Sequence, residues 1–427
     1  MTRINRIKGF SDLFPPEVTA YVFMEETARE IFTRYGYQEI RIPVLEQTEL
    51  FARSIGQETD VVQKEMYTFP DRKGRSLTLR PEATAGVVRA YIESLFSSSG
   101  GGCKLFTFGP MFRYERPQKG RMRQFHQVNA EILGEDSPWS DAEAIVMLWT
   151  YLQKLGLNIL DIELNSLGCS GCRPGFQKTL QDYLRSQDQD NFCADCRRRV
   201  DTNPLRVLDC KVPGCRKMIK DAPKINRNLC TGCGNHFEKV LNILNESGLK
   251  FHLNPNLVRG LDYYQRTTFE VVSHDIGSQS SVAGGGRYDG LVKALGGPDV
   301  PGIGFACGME RLALLLDDIS QRPKDFYLAV LHEDAMDKAL LMAQHLREKG
   351  FYGELGFQVK SVKAQLRQAN RLGVKTCLLL GPDELSKNEV QVKDMSTGVQ
   401  RAVSQEDVEQ ALGLNTKLKN GPYFTGR

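Results

Sequence analysis

Residues 127–132 alternate polar and apolar side chains, the pattern of an extended strand, and 123–133 is read as one. Successive side chains of a strand point to opposite faces. The even positions Val128, Ala130 and Ile132 are apolar, whereas the odd ones carry Gln127, Asn129 and Glu131 in a row. One face is therefore expected on a core, and the other presents amides and a carboxylate, with Gln127 and Glu131 about 13 Å apart. The wet side of an antiparallel sheet has the same pattern. Residues 104–114 form a second candidate strand, and the intervening ERPQKGRM contains the Pro and Gly of a hairpin loop. Arg113, Arg116, Lys119, Arg121 and Arg123 cluster around that loop. A cationic hairpin beside a polar floor suits an anionic substrate with a specific polar head.

The rest of the first 165 residues mixes helices and short strands. Helical spacing is expected over 17–35, a strand over 39–43, a strand over 76–80, and a helix from Glu82 to about Phe96. The Ser/Gly run 97–102 reads as a turn, Ser140 as the cap of a helix from Asp141, and 159–165 as a strand. Strand patterns resume near Leu257 and at 268–273, AGGGRYDG from Ala283 reads as a glycine-rich turn, and GIGFACGMERL from Gly302 as strand to helix. After a polar linker at 321–324, strands and helices over 326–331, 335–348, 361–372 and 375–380 make a compact α/β unit.

Hydrophobic residues are 41% and charged residues 25% of the 427, an ordinary globular balance that excludes a wholly disordered chain. There is no run of about 18 apolar residues to cross a membrane. No apolar block follows Arg3, Arg6 and Lys8, so a cytosolic address is expected. The net charge of +4 decides nothing about nucleic acid, but basic residues concentrate at 113–123 and 197–224.

Eight of the 11 cysteines fall between Cys169 and Cys233. A reducing compartment argues against disulfides. Cys169/Cys172, Cys193/Cys196 and Cys230/Cys233 are CxxC pairs, and Cys210/Cys215 has four residues between. The first two pairs, 20 residues apart, match a four-cysteine zinc spacing. Eight thiolates could hold two tetrahedral zinc ions of structural type, because four thiolates leave no open position. Reduced, metal-free cysteines are the alternative.

FRYERPQKGRMRQFHQVNAE from Phe112 resembles the second signature motif of class II aminoacyl-tRNA synthetases, and GIGFACGMERL the third. LVRGLDYYQRTTFEV from Leu257, AGGGRYDGLV from Ala283, TLRPEATAG from Thr78 and GYQEIRIPVLEQTELF from Gly36 resemble the histidyl-tRNA synthetase family. The blocks occur in order over essentially the whole chain. The resemblance implies an α+β protein: an antiparallel-sheet class II catalytic domain (1–166 and 251–322), a Cys-rich helical insertion (167–250) and an α/β anticodon-binding domain (325–427). It also implies ATP-dependent ligation of L-histidine to tRNA(His) through histidyl-adenylate.

By the same resemblance Arg113, Arg259 and Arg311 are the catalytic cations, and Arg113, Glu115, Arg121 and Arg311 form the nucleotide site, with magnesium on the diphosphate. Glu82, Thr84 and Gln127 are implied for the α-amino group, Glu131 and Tyr264 for the imidazole, and Tyr263 and Gly284–Gly286 as pocket lining. His126 lies on the opposite strand face and reads as structural. The block from Gly36 implies a homodimer, the C-terminal unit binding to the anticodon, and the insertion lying against the acceptor arm; Gln118 is placed to approach the tRNA end. Lys363, Arg367 and Arg371 recur at four-residue spacing as a candidate phosphate-facing stripe. Ala83, where the family often has glycine, and Cys307 depart from the motifs. Two further readings are a non-enzymatic regulatory relative from histidine biosynthesis and a zinc-dependent nucleic-acid-binding protein on a retired scaffold.

Overall fold

The computed structural model describes residues 3–94, 102–276, 280–317, 319–321, 323–413 and 423–425. The chain divides into two compact units, 1–317 and 318–427, and the cysteine-rich stretch belongs to the first. The run expected as a turn at 97–102 lies, except for Gly102, outside the described residues.

The first unit is built on an eight-stranded sheet. Its order is Gln38–Glu39, Cys103–Phe112, Gln124–Leu133, Gly302–Gly308, Ser281–Arg287, Gln265–Val272, Asp161–Ser166 and His252–Leu253. The six interior strands pair antiparallel, and each two-residue edge strand pairs parallel with its neighbour. Such short edges leave little ladder for a foreign strand.

The register sorts the sheet into two faces. Phe106, Ala130, Phe305, Gly285, Phe269 and Leu164 lie across one row of the apolar face. Helices Glu17–Arg34, Pro138–Lys154 and Thr231–Glu246 cover it through Met24, Phe32, Leu148, Tyr151, Phe237 and Val240. The Phe32 ring meets Phe106, Tyr151 and Phe305 edge-on at centroid distances of 5.6, 5.4 and 5.8 Å. Each such ring contact adds about 0.5–1.5 kcal/mol beyond area burial.

Several local expectations are corrected. AGGGRYDG is not a turn at its glycines: Ser281–Arg287 is an interior strand, and the chain turns only afterwards, at Gly290 with φ 90°. The helix near Ser140 begins at Pro138, because Ser137 caps it by accepting from the Ser140 backbone N–H at 3.3 Å and proline fits the first turn. The helix expected from Glu82 begins at Thr84, since the Glu82 carboxylate is spent on the free N–H groups of Thr84 and Ala85. The strand expected over 39–43 pairs only at Gln38–Glu39, and Leu257 precedes rather than begins a strand.

Arg287 is fully buried. It donates to Asp141 from Nε and Nη2 at 3.0 and 2.5 Å, to Asp289 at 3.1 Å and to the Glu135 carbonyl at 2.9 Å. His236, on the last helix of the cysteine-rich stretch, lies 2.8 Å from the other Asp141 oxygen. Despite its burial, these partners hold Asp141 below the usual carboxylate range. One buried cluster thus joins the sheet to two of its covering helices.

In the second unit, strands Gly353–Leu355, Phe326–Val330, Thr376–Leu380, Glu389–Asp394 and Gln400–Ser404 lie in that order, parallel across the first three and antiparallel thereafter. Helix Val362–Arg371 turns Gln365 and Ala369 inward and leaves Lys363, Arg367 and Arg371 exposed.

Replacing Arg287 by Met should cost about 3–5 kcal/mol, because Asp141 would keep its charge with only His236 as a buried partner. Chemical denaturation of the variant against the parent measures this.

Candidate active site

The second face of the sheet is a polar floor cleared by glycine. Thr107, Asn129, Ala306, Gly284 and Glu270 form one cross-strand row on it, and Leu105, Glu131, Gly304, Gly286 and Thr268 the next. The Glu131 carboxylate lies over Gly304, and the Arg259 guanidinium over Gly284; a methyl group at either glycine would overlap them. Glycines on two neighbouring strands therefore set the depth at which these two ionisable side chains rest on the sheet.

Glu131 is buried and bonded through both oxygens: Thr84 Oγ1 donates to one and the Tyr288 hydroxyl to the other, each at 2.7 Å. Burial pushes its pKa up to about 8, against the opposing pull of these two donors. Burial also raises the Glu82 pKa, countered by the Ala85 and Thr84 N–H groups. The Tyr263 hydroxyl reaches Glu82 at 3.5 Å. Tyr263 packs on Tyr264 at 4.6 Å and edge-on to Tyr288 at 5.8 Å between centroids. Gln127 Oε1 and both amide atoms of Asn129 are buried and have no hydrogen-bond partner among the described residues. Buried polar atoms of that kind are costly unless a ligand meets them.

Beside this pocket the arginines draw together. Arg113 donates to the Pro81 carbonyl at 2.9 Å, with its guanidinium 5.3 Å from the Phe125 ring centroid. Burial lowers its pKa, as does the charge of Arg259, while Glu65 and Glu82 oppose both. Arg311 sits in helix Met309–Ala313 and donates to the carbonyls of Ser281 at 2.5 Å and Gly120 at 3.3 Å. Burial, then the charges of Arg121 and Arg113, depress its pKa. Arg259 pairs with Glu270 at 3.0 Å and lies 5.5 Å from the Tyr264 ring centroid, yet its buried Nε has no hydrogen-bond partner among the described residues. Arg121 pairs with Glu115. Four cations from three separated segments lie within electrostatic reach of one another, an arrangement that favours a polyanionic ligand.

The remaining candidates fall elsewhere. Arg123 stacks on Tyr114 at 3.8 Å and donates to the Glu115 carbonyl, so it braces the hairpin. Arg116, Gln118 and Lys119 are exposed at the hairpin tip. The Thr84 hydroxyl faces Glu131, and Tyr264 does not bond Glu131 directly. His126 accepts a structural part: its backbone N–H and ring Nδ1 both meet Glu310, at 2.8 and 3.0 Å, tying the hairpin to the helix of Arg311. Cys307 lies on the apolar face and Ala83 is buried at the helix start, so neither departure opens the floor. Tyr288, Asn129 and Glu270 were not singled out as site residues from sequence. Tyr288 stood inside AGGGRYDG, where reading the glycines as a turn hid its place after a floor strand.

The eight cysteines form two quartets, but not with the pairing that spacing favoured. Cys169, Cys172, Cys230 and Cys233 make one, and Cys193, Cys196, Cys210 and Cys215 the other, each with its sulfurs within 4.8 Å of one another. The second quartet nests inside the first because helix Thr231–Glu246 starts where helix Cys172–Ser186 starts. Cys169 and Cys172 Sγ are 3.6 Å apart, and Cys193 and Cys210 Sγ 3.9 Å. Tetrahedral zinc with bonds of about 2.3 Å sets sulfurs about 3.8 Å apart, so the donor set fits one such ion per quartet. The Cys230 N–H donates to Cys172 Sγ at 3.1 Å and the Cys193 N–H to Cys215 Sγ at 3.2 Å, as suits charged sulfur.

Comparison with known proteins bears on this geometry. The family model described as histidyl-tRNA synthetase matches residues 9–312, and that described as anticodon binding domain matches 325–413. The chain is 61% identical over 406 residues to the histidine--tRNA ligase of Solidesulfovibrio magneticus, covering 95% of this chain and 96% of that one. With the histidine--tRNA ligase of Syntrophotalea carbinolica it shares 50% over 416 residues, 97% and 99% of the two chains. Among solved structures, apo S. aureus histidyl-tRNA synthetase aligns with a TM-score of 0.79 and 34% identity over 96% of this chain and 100% of that one. The enzyme from Nostoc sp. PCC 7120, at 19% identity and a TM-score of 0.68, shares the fold. With the motif-bearing strands, the glycine-cleared floor and matches of this extent in agreement, the chain belongs to the histidyl-tRNA synthetase family.

Proposed function

We propose that this chain joins L-histidine to tRNA(His) in two steps at the polar floor, with ATP taken as its magnesium complex. The observation that carries the reading is the adjacency of a buried Glu131–Thr84–Tyr288 network to the cluster of Arg113, Arg259, Arg311 and Arg121. In the first step a histidine carboxylate oxygen bonds to the α-phosphorus, the bond from that phosphorus to the bridging oxygen breaks, and diphosphate leaves. Two anions must approach, and the arginines offset their repulsion as charge builds at phosphorus. Arg259 is suited to bridge carboxylate and α-phosphate, since its Nε has no other hydrogen-bond partner among the described residues. Arg113 offers a planar fork to the α-phosphate, while Arg311, Arg121 and Glu115 serve the rest of the nucleotide.

Glu131 reads the substrate. Already bonded by Thr84 and Tyr288, it accepts an imidazole N–H as a further donor, and analogues without that N–H leave a buried acceptor underbonded. Tyr264 and Tyr263 close the pocket, and Glu82 with the Gln127 amide oxygen, which has no donor among the described residues, receives the α-ammonium group. In the second step a hydroxyl of the tRNA 3′ ribose attacks the activated carbonyl and AMP departs. The second unit, with its exposed Lys363, Arg367 and Arg371, serves the anticodon end. Each cysteine quartet holds a structural zinc ion. A cytosolic location fits the absence, among the described residues, of any helix long and apolar enough to cross a membrane.

The small sheet formed by Leu45–Gln47, Ser76–Leu79 and Tyr67–Pro70 leaves Leu45 and Phe69 exposed, beside an exposed Val44. A second copy covering them supports a homodimer. Sedimentation at micromolar concentration should give twice the 48.1 kDa chain mass, and Phe69→Glu should shift it toward the monomer.

ATP–diphosphate exchange should be stimulated by L-histidine and by no other amino acid. Arg259→Ala should lower it by a factor on the order of 10²–10³ while histidine binding stays detectable. Intact ATP binding without exchange in the parent would favour a regulatory role instead.

Glu131 gives a signed pH effect. Its folded pKa of about 8 exceeds the unfolded value near 4.3, so the folded state holds a proton that the unfolded state releases. Stability is therefore lost as pH rises from about 5 to about 8. Glu131→Gln, which cannot titrate, should gain melting temperature over the parent progressively across that window, and the gap should level off above it. Thermal melts without ligand, taken at stepped pH, measure this.

A further inference from the structure

The segment that carries Arg259, Tyr263 and Tyr264 has no regular secondary structure of its own until the strand begins at Gln265. Its order must come from what it touches. Much of its packing is supplied by the chain between the first and last cysteines, and the contacts come from both quartets.

From the outer quartet, Arg173, which follows Cys172, donates from Nη1 to the carbonyl of Tyr264 at 2.9 Å and lies 3.5 Å from that of Asp262. Gly168, which precedes Cys169, accepts from the Arg266 N–H at 2.9 Å, and the Leu167 N–H donates to the Arg266 carbonyl at 2.7 Å. Arg266 holds φ at 47°, a left-handed conformation that costs energy for a side-chain-bearing residue and persists only where neighbours enforce it. From the inner quartet, helix Ala194–Thr202 starts at Cys193 and ends beside Asn203, whose amide donates to Asp262 Oδ1 at 2.9 Å. The same helix places Arg199 on Asp60 at 2.5 Å and Arg198 on Gln63 at 2.8 Å. Two residues farther on, the Tyr114 N–H donates to the Glu65 carbonyl at 2.7 Å, beside Arg113. Between the quartets Lys224 donates to Asn256 Oδ1 at 2.6 Å.

The apolar packing is continuous with these bonds. Tyr263, Tyr264 and Tyr288 share one buried cluster with Phe176, Leu205 and Ile219 of the cysteine-rich stretch. Yet two of the helices there are short: nine residues in Ala194–Thr202 and seven in Pro213–Ile219. Helices of that length are marginal without an external tie, and thiolate–zinc bonds are such a tie, since the energy of metal binding is also energy of folding.

We propose that the two quartets act as a zinc-dependent clasp on the histidine-reading segment, so that zinc occupancy and histidine affinity are thermodynamically linked. Zinc bonds fix the starts of helices Cys172–Ser186 and Ala194–Thr202; those helices present Arg173 and Asn203; these in turn hold residues 262–264 in the shape that faces the ligand. By reciprocity, bound histidine raises zinc affinity by the same factor. The inference rests on the reading that Arg259, Tyr263 and Tyr264 face histidine.

The test uses the full chain. Metal analysis of purified protein should find two zinc ions per chain, one for each quartet. Cobalt(II) exchange should give the visible bands of tetrahedral tetrathiolate coordination. L-histidine binding is then measured by calorimetry on loaded protein, on protein stripped by a chelator and desalted, and on stripped protein reloaded with stoichiometric zinc and desalted again, because free zinc complexes histidine. Stripping should weaken histidine binding at least about tenfold and speed amide exchange over 257–266, and reloading should restore both. Arg173→Met cuts the link without touching a thiolate: two zinc ions should remain while histidine binding weakens about tenfold, the scale of one charged hydrogen bond. Two bound zinc ions with unchanged histidine affinity on stripping and in Arg173→Met would overturn the clasp and leave the synthetase reading intact. Absence of zinc from folded, histidine-binding protein would overturn it equally. Loaded protein that fails to bind histidine at all would instead sink the reading of the pocket on which the clasp depends.

Discussion

Glu131 and Arg259, an acid and a base far apart in sequence, both lie flat against the same sheet because the strands beneath them have no side chains there. Gly304 pairs with Glu131 across the ladder, and Gly284 lies under the Arg259 guanidinium. Interior glycine normally weakens a strand through lost entropy and lost packing. Here that cost creates depth. With side chains at these two positions the carboxylate and the guanidinium would stand above the floor, and the pocket between them would close. The strand of Gly284 keeps its other face dense, for Gly285 lies between Phe305 and Phe269 of the apolar layer.

The cation cluster has the opposite problem, since its members repel one another. Arg113, Arg121 and Arg311 each have a depressed pKa, and burial is the first cause in every case. Backbone carbonyls fix two of these guanidinium groups, Pro81 for Arg113 and Ser281 and Gly120 for Arg311, and the Glu115 carboxylate fixes Arg121. Arg259 has a direct carboxylate partner, Glu270. Positive potential is thus stored before any ligand arrives, and catalysis through charge stabilisation gains most when the stabilising groups need not reorganise.

The cysteine-rich stretch is part of the same body rather than an appendage. Its last helix buries Phe237, Val240 and Leu244 in the principal core, and His236 completes the Arg287–Asp141 cluster. Its earlier helices supply the wall behind the pocket tyrosines. The cysteine-rich stretch therefore contributes to the sheet's cover and to the wall behind the pocket at once.

Patterns that follow from one element at a time were legible in the sequence. The alternation at 123–133 placed Gln127, Asn129 and Glu131 on one face because a two-residue period depends only on backbone geometry. The hairpin, the third-motif helix and the strands of the C-terminal unit followed from the same local rules. Residue types also limited the chemistry, since arginine forks and a carboxylate floor suit few ligands other than polyanions with a polar head. What only the tertiary structure decided was which local elements meet. Glycines read as a turn became an interior strand, because the missing side chain of Gly284 makes room for Arg259, a need set by a distant segment and not by the local backbone. Tyr288 joined the site through a hydrogen bond across 157 positions of sequence. The cysteine pairs nested rather than running in order, since spacing records how far apart two pairs lie along the chain and not which helix starts come together in space. Periodicity is a property of a segment, whereas a site is a property of its neighbours, and neighbours are chosen by the packing of the whole.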